Sequence, residues 1–112
     1  MDSKRQQKIS RMLQRDVSEI FQRNTAAWAK GALVTVTKVK ITSDLSIARI
    51  YLSIFATGDK AAILDHINGQ KRDIRFHLGQ KVKDQLRKVP ELEFFQDDSL
   101  DYIENIDNLL KQ

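Results

Sequence analysis

Two β-branched segments separated by only two polar residues constrain this chain more than any other feature. Residues 33–42, LVTVTKVKIT, and residues 45–55, LSIARIYLSIF, both read as strands. In the second, Ala48, Ile50, Leu52 and Ile54 alternate onto one face. Ser43 and Asp44 between the two make an antiparallel hairpin the economical link. The first strand shifts phase between Val36 and Val39, which implies either a bulge or burial on parts of both faces.

Helical periodicity flanks this hairpin. Upstream, Ile9, Leu13, Val17 and Ile20 or Phe21 recur at three- and four-residue steps and predict a helix from about Ser3, its cap, to Arg23. Lys4, Arg5, Lys8, Arg11, Arg15 and Arg23 occupy its other positions. Residues 24–31 interrupt the pattern and read as a loop, with Trp28 directed to the core. Downstream, Thr57, Gly58 and Asp59 close the second strand and open a short helix, Lys60 to Asn68, with Ala62, Ile63 and Ile67 as its core positions. Asn68 and Gly69 break it, the glycine supplying left-handed geometry.

A long basic helix follows. Ile74, Leu78, Val82, Leu86 and Val89 form one apolar stripe over residues 68–89, and Pro90 ends it. Glu91 to Gln96 reads as a last strand, and Asp97, Asp98 and Ser99 offer a cap to a final amphipathic segment with Leu100, Ile103, Ile106 and Leu110. This order, α-β-β-α-α-β plus a C-terminal helix, predicts an α+β domain with helices on one face of a three-stranded sheet. Residues 1–98 form that domain, and 99–112 an acidic C-terminal helix or tail.

Length and composition fit this picture. A chain of 112 residues supports one core and one domain. It has no cysteine, which excludes a disulfide framework or a thiolate zinc site. No apolar run is long enough to cross a bilayer, and the opening MDSKRQQKIS lacks a hydrophobic signal core, so a cytoplasmic protein without membrane contact is expected, with a monomer as the simple assumption. Charge is divided: residues 1–90 carry a net +10 and residues 91–112 a net −6. A basic body implies a polyanion-binding surface, and the acidic end implies a place elsewhere in the fold or a basic partner.

The residues give little support to catalysis. There is no phosphate-cradling glycine loop, no nucleophile elbow and no thiol, so no catalytic residue and no cofactor is assigned. His66 and His77 lie amid charge without a partner at a recognisable spacing. Asp97, Asp98, Asp101 and Glu104 read as helix capping and a solvated face rather than a metal site.

Nucleic-acid binding is better founded. On the long helix Lys71, Arg72 and Arg75 are expected to touch phosphate near its start, where the turn at Gly69 exposes backbone amides. Lys81, Lys83, Arg87 and Lys88 extend the track, and Lys8 and Arg11 belong to a second patch on the first helix. Lys38, Lys40 and Arg49 add charge on the strands. Tyr51 and Phe55 share a strand face, where Phe55 is expected to pack under a helix and Tyr51 is left open between packing and exposure. Backbone and shape recognition follows as the mode of binding.

The wording of the chain resembles a known family. The opening QQKISRMLQRDVSEIF, the pair VTVTKVKITSDLSIARIYLS, the phrase DIRFHLGQKVKDQLRKVPELEFFQDDS and the closing YIENIDNLL are similar to bacterial ribosome-binding factor A, and the order of elements resembles a type II KH domain. That resemblance implies a non-enzymatic factor that binds the small ribosomal subunit and its ribosomal RNA, and assists late folding and 5′-end processing, with no small-molecule substrate. Where the family has an Ala-x-Gly kink between two helices, this chain has Gln70, Lys71 and Arg72, with Gly69 standing earlier. The competing function is an adaptor that docks a basic partner through its acidic C-terminal helix.

Overall fold

In the computed structural model, which describes residues 3–56 and 58–97, the chain opens with helix α1 (Lys4–Arg23). Its start is a reciprocal cap. The Gln6 N–H donates to Ser3 Oγ at 3.1 Å and the Ser3 N–H to Gln6 Oε1 at 2.8 Å, which satisfies two amides a helix start otherwise leaves open. Gln6 Nε2 also donates to the Ile41 carbonyl at 3.1 Å and pins the helix to the sheet. Ile9, Leu13, Val17, Ile20 and Phe21 are buried as their spacing requires, each contributing about 1.5–3 kcal/mol by leaving water.

The expected loop at 24–31 contains a one-turn helix, α2 (Thr25–Ala29), which the sequence pattern did not announce. Asn24 nucleates it: its Oδ1 accepts from the Ala27 N–H at 3.1 Å. Trp28 packs at the margin of the core and meets the His77 ring edge-on at 5.3 Å. Lys30 and Gly31, with φ of 52° and 83°, then turn the chain into the sheet.

Strands β1 (Leu33–Ile41) and β2 (Ile47–Phe55) pair antiparallel from Leu33 with Phe55 to Ile41 with Ala48. The phase shift is a bulge: Thr37 is skipped between Val36 and Lys38, so Val34, Val36, Val39 and Ile41 all face inward. The hairpin connection is longer than the expected Ser43–Asp44 pair and spans 42–46. Asp44 Oδ1 accepts from Thr42 Oγ1 and Ser46 Oγ, both at 2.7 Å, and from the Ser46 N–H at 3.1 Å, while Leu45 takes a left-handed φ of 62°. These bonds hold the Asp44 carboxyl down from its ordinary 3.8 to about 2, the Ser46 hydroxyl contributing most and the Thr42 hydroxyl next.

Strand β3 (Glu91–Gln96) lies parallel to β2, Ile47 beside Glu91 through Leu52 beside Gln96, which puts β2 in the centre of a three-stranded sheet. Leu92 and Phe94 face the helices, and Phe21 meets Phe94 edge to face at 6.0 Å. Helices α3 (Lys60–Gly69) and α4 (Lys71–Val82) complete the helical layer through buried Ile63, Ile67, Ile74, Leu78 and Val82. Asp59 Oδ1 caps α3 by accepting from the Ala61 and Ala62 N–H groups at 2.9 and 3.3 Å. Thr57, 98–112 and the expected C-terminal helix lie outside the described residues.

Two helix expectations are corrected. Gly69 is not a left-handed break but the last helical residue of α3, because the turn falls one residue later at Gln70 (φ −101°, ψ 5°). The stripe from Ile74 to Val89 is not one helix either. α4 stops at Val82, and Leu86 and Val89 reach the same core from an irregular segment, 83–90. Phe55 is corrected as well. It is 76% exposed on the open sheet face, since its neighbours Ile54 and Leu52 hold the inward positions.

Candidate nucleic-acid interface

Asn68 ties the turn between α3 and α4 to the sheet. Asn68 Nδ2 donates to the Phe94 carbonyl at 3.2 Å and its Oδ1 accepts from the Phe94 N–H at 3.3 Å, an amide imitating a strand partner on the edge of β3. The Gln70 N–H donates to the Ile67 carbonyl at 3.0 Å, and the Gln70 carbonyl accepts from the Ile74 N–H at 3.0 Å. No side chain caps α4, whose first turn carries exposed Lys71, Arg72 and Asp73, with Gly69 exposed beside them.

The other cations singled out on this stretch behave differently from one another. Arg75 turns inward: its Nη2 donates to the Val89 carbonyl at 2.6 Å and its Nε to the Pro90 carbonyl at 3.1 Å. Lys81 reaches α1, where its Nζ donates to Glu19 Oε2 at 2.7 Å. That hydrogen bond, then the Lys81 charge itself, lowers the Glu19 carboxyl from its ordinary value. Lys83, Arg87 and Lys88 stand exposed on the 83–90 segment rather than on a helix.

Lys8 and Arg11 are exposed on α1 and line an open groove of about 610 Å³ between α1 and the chain after α4. Arg5 and Arg15 line it too. Ile9, Met12 and Leu86 are its apolar lining residues, and Gln85 stands beside Leu86. The fold therefore joins Lys8 and Arg11 to the segment carrying Lys83, Arg87 and Lys88. It sets Lys71 and Arg72 apart at the opposite end of α4, which is roughly 17 Å long at the rise of an α-helix.

Arg5 and Arg15, already among the basic positions read for the first helix, share a helix face with Lys8 and Met12, as their three- and four-residue spacing implies. Phe76, four residues after Arg72, was missed in the sequence; it is 65% exposed on the basic helix, an aromatic face presented to solvent. Lys38, Lys40 and Arg49 lie on the strands away from the helical cations. Arg49 pairs with Glu93 at 3.3 Å, and Lys38 sits 5.7 Å from the centre of the Tyr51 ring, which itself stacks on Phe95. His66 Nε2 lies 3.0 Å from the Ala27 carbonyl, and no group of His, Asp and Glu suited to a metal ion occurs among the described residues.

The family model of ribosome-binding factor A matches residues 5–110. The chain belongs to the ribosome-binding factor A family. Ribosome-binding factor A of Flavobacterium johnsoniae is 44% identical over 111 residues, covering 98% of this chain and 85% of that protein. The crystal structure of ribosome-binding factor A from Thermus thermophilus superposes with a TM-score of 0.68 at 23% identity, over 81% of this chain and 94% of that one. A homology model of the Thermus thermophilus ribosome-binding factor A, fitted into the cryo-EM map of a 30S complex, gives a TM-score of 0.62 at 24% identity, covering 80% and 91%. The α+β, KH-like architecture expected from the sequence is thus the architecture of the ribosome-binding factor A family. Among the described residues no helix is long and apolar enough to cross a membrane.

Proposed function

We propose that this chain binds the small ribosomal subunit through its ribosomal RNA, as a cytoplasmic, non-enzymatic assembly factor that assists late folding and 5′-end processing. The observation that carries the reading is near-full-length identity of 44% to a protein named ribosome-binding factor A. The 30S complex of the Thermus thermophilus homologue supports the small subunit as the partner.

The electrostatics of the helical layer support an RNA contact. Lys71 and Arg72 stand at an uncapped helix start, where backbone amides and the dipole end favour phosphate oxygens. Lys8, Arg11, Lys83, Arg87 and Lys88 form the second contact zone, at the far end of α4. Arg75 and Lys81 serve the fold rather than the RNA contact, since Arg75 already donates to the Val89 and Pro90 carbonyls and Lys81 to Glu19. Phosphate contacts of this kind set position and affinity, and leave sequence preference to the shape of the RNA.

Co-sedimentation with immature small subunits, mature small subunits and unrelated duplex RNA across a salt series tests the proposal. Preferential retention on small subunits, weakening as salt rises, is the expected result. Equal weak retention on all three contradicts it, and removal of residues 99–112 abolishing retention moves the interaction to the acidic end.

A further inference from the structure

The groove beside α1 places two chemistries side by side. Its cationic edge consists of Arg5, Lys8, Arg11 and Arg15, spaced three, three and four residues apart on one helix. Like charges at these spacings repel one another along a helix face. Among the described residues, Arg15 is relieved by Asp16 at 3.3 Å, whereas Arg5, Lys8 and Arg11 form no ion pair and no carboxylate lines the groove. Such a row is complementary to a polyanion.

The remaining wall is apolar. Ile9 and Leu86 are 7% and 9% exposed, and Met12 packs on the core while its outer side lines the groove. A duplex would meet the cations with its phosphates and leave this wall unused, because its bases are stacked inward. An unpaired nucleotide uses both: its phosphates meet the cations, and its splayed base lies on the thioether and aliphatic surface, flanked by guanidinium planes. A volume of about 610 Å³ accommodates a ligand of that size.

We propose that this groove is a binding site for an unpaired nucleotide of single-stranded RNA, with Met12 and Leu86 under the base and Lys8 and Arg11 on the flanking phosphates. The proposal rests on the RNA-binding reading above and deepens it. A site here and the α3–α4 turn at the other end of α4 engage RNA at two places on one body, which raises affinity beyond either contact alone.

The chain has two methionines, Met1 and Met12, so isotope-labelled methionine methyl groups give a simple probe of the groove. The full chain is titrated with a short single-stranded RNA, the same sequence as a duplex, inorganic polyphosphate, and an acidic amphipathic peptide. The expected result is a saturable shift of the Met12 methyl signal with single-stranded RNA and a much smaller one with duplex or polyphosphate. Joint substitution K8E and R11E, both on exposed side chains, removes the shift while the unfolding midpoint stays in place, and lowers the salt slope of binding by about one per residue. Equal shifts with duplex or polyphosphate overturn the nucleotide site in favour of a bare anion surface. A response to the peptide alone makes the groove a protein-docking site. RNA binding that moves the amides of Lys71 and Arg72 but not Met12 overturns the groove and leaves the RNA-binding reading standing, whereas no response to RNA together with no retention on small subunits overturns that reading itself.

Discussion

The guanidinium of Arg75 donates at 2.6 Å to the carbonyl of Val89, 14 residues further along the chain, just before β3. With the companion bond from Nε to Pro90, it makes a charged side chain the clamp between a helix and an irregular segment. Removing it leaves two carbonyls without their charged donor. Arg75→Ala is expected to lower unfolding free energy by about 1.5–3 kcal/mol in denaturant titration, while affinity for small subunits, measured under conditions where the variant is folded, changes less than for Arg72→Glu. A stable variant with lost affinity would return Arg75 to the RNA contact.

Phe76 separates recognition from stability. At 65% exposed it contributes little to the core, so Phe76→Ala should shift unfolding free energy by less than about 0.5 kcal/mol. If the ring stacks on a base, the same variant loses about 1–3 kcal/mol of binding free energy. Filter binding to single-stranded RNA beside thermal unfolding measures both, and unchanged affinity removes Phe76 from the interface.

The hairpin connection is pH-dependent in a definite direction. The Asp44 carboxyl is lowered to about 2 by the Ser46 and Thr42 hydroxyls, so its ionised form favours the folded chain. That contribution is present above about pH 4, fades as pH falls towards 2, and is absent below. Asp44→Ala should therefore reduce stability at neutral pH and cost nothing further in strong acid. Urea unfolding of both chains across this range checks it, and a difference that persists below about pH 2 would refute the assignment.

Much of this architecture was legible because periodicity and burial coincide. Ile9, Leu13, Val17 and Phe21 announce α1, Ser3 announces its start, and the shift between Val36 and Val39 marks the break in alternation that the structure resolves as a bulge. The same logic misled where different backbones bury the same stripe. Leu86 and Val89 continue the spacing of Ile74, Leu78 and Val82, yet the helix ends at Val82, because an irregular return also brings side chains to the core. Gly69 read as a break since glycine permits one, although Gln70 makes the turn. α2 was hidden by its single turn, too short for a period.

The candidate surface was less legible than the fold. Charge is visible in a sequence and partners are not: Arg75 and Lys81 look like Arg72 and Lys71 until Val89, Pro90 and Glu19 are brought beside them. Nor does sequence order say that Lys8 and Arg11 face the chain after α4, a consequence of α1 packing on α4.

Exposed cations at the α4 start are expected to hold the small subunit, and the tied cations are not. The decisive comparison is subunit affinity of three chains, the unsubstituted protein, the K71E/R72E pair and K81A, over a salt series. Lys81 is paired with Glu19, so its loss should leave affinity and salt slope close to those of the unsubstituted chain. The K71E/R72E pair should bind on the order of tenfold more weakly, with a shallower salt slope. Equal affinity of the K71E/R72E chain and the unsubstituted protein, with the fold intact, would contradict this division of roles.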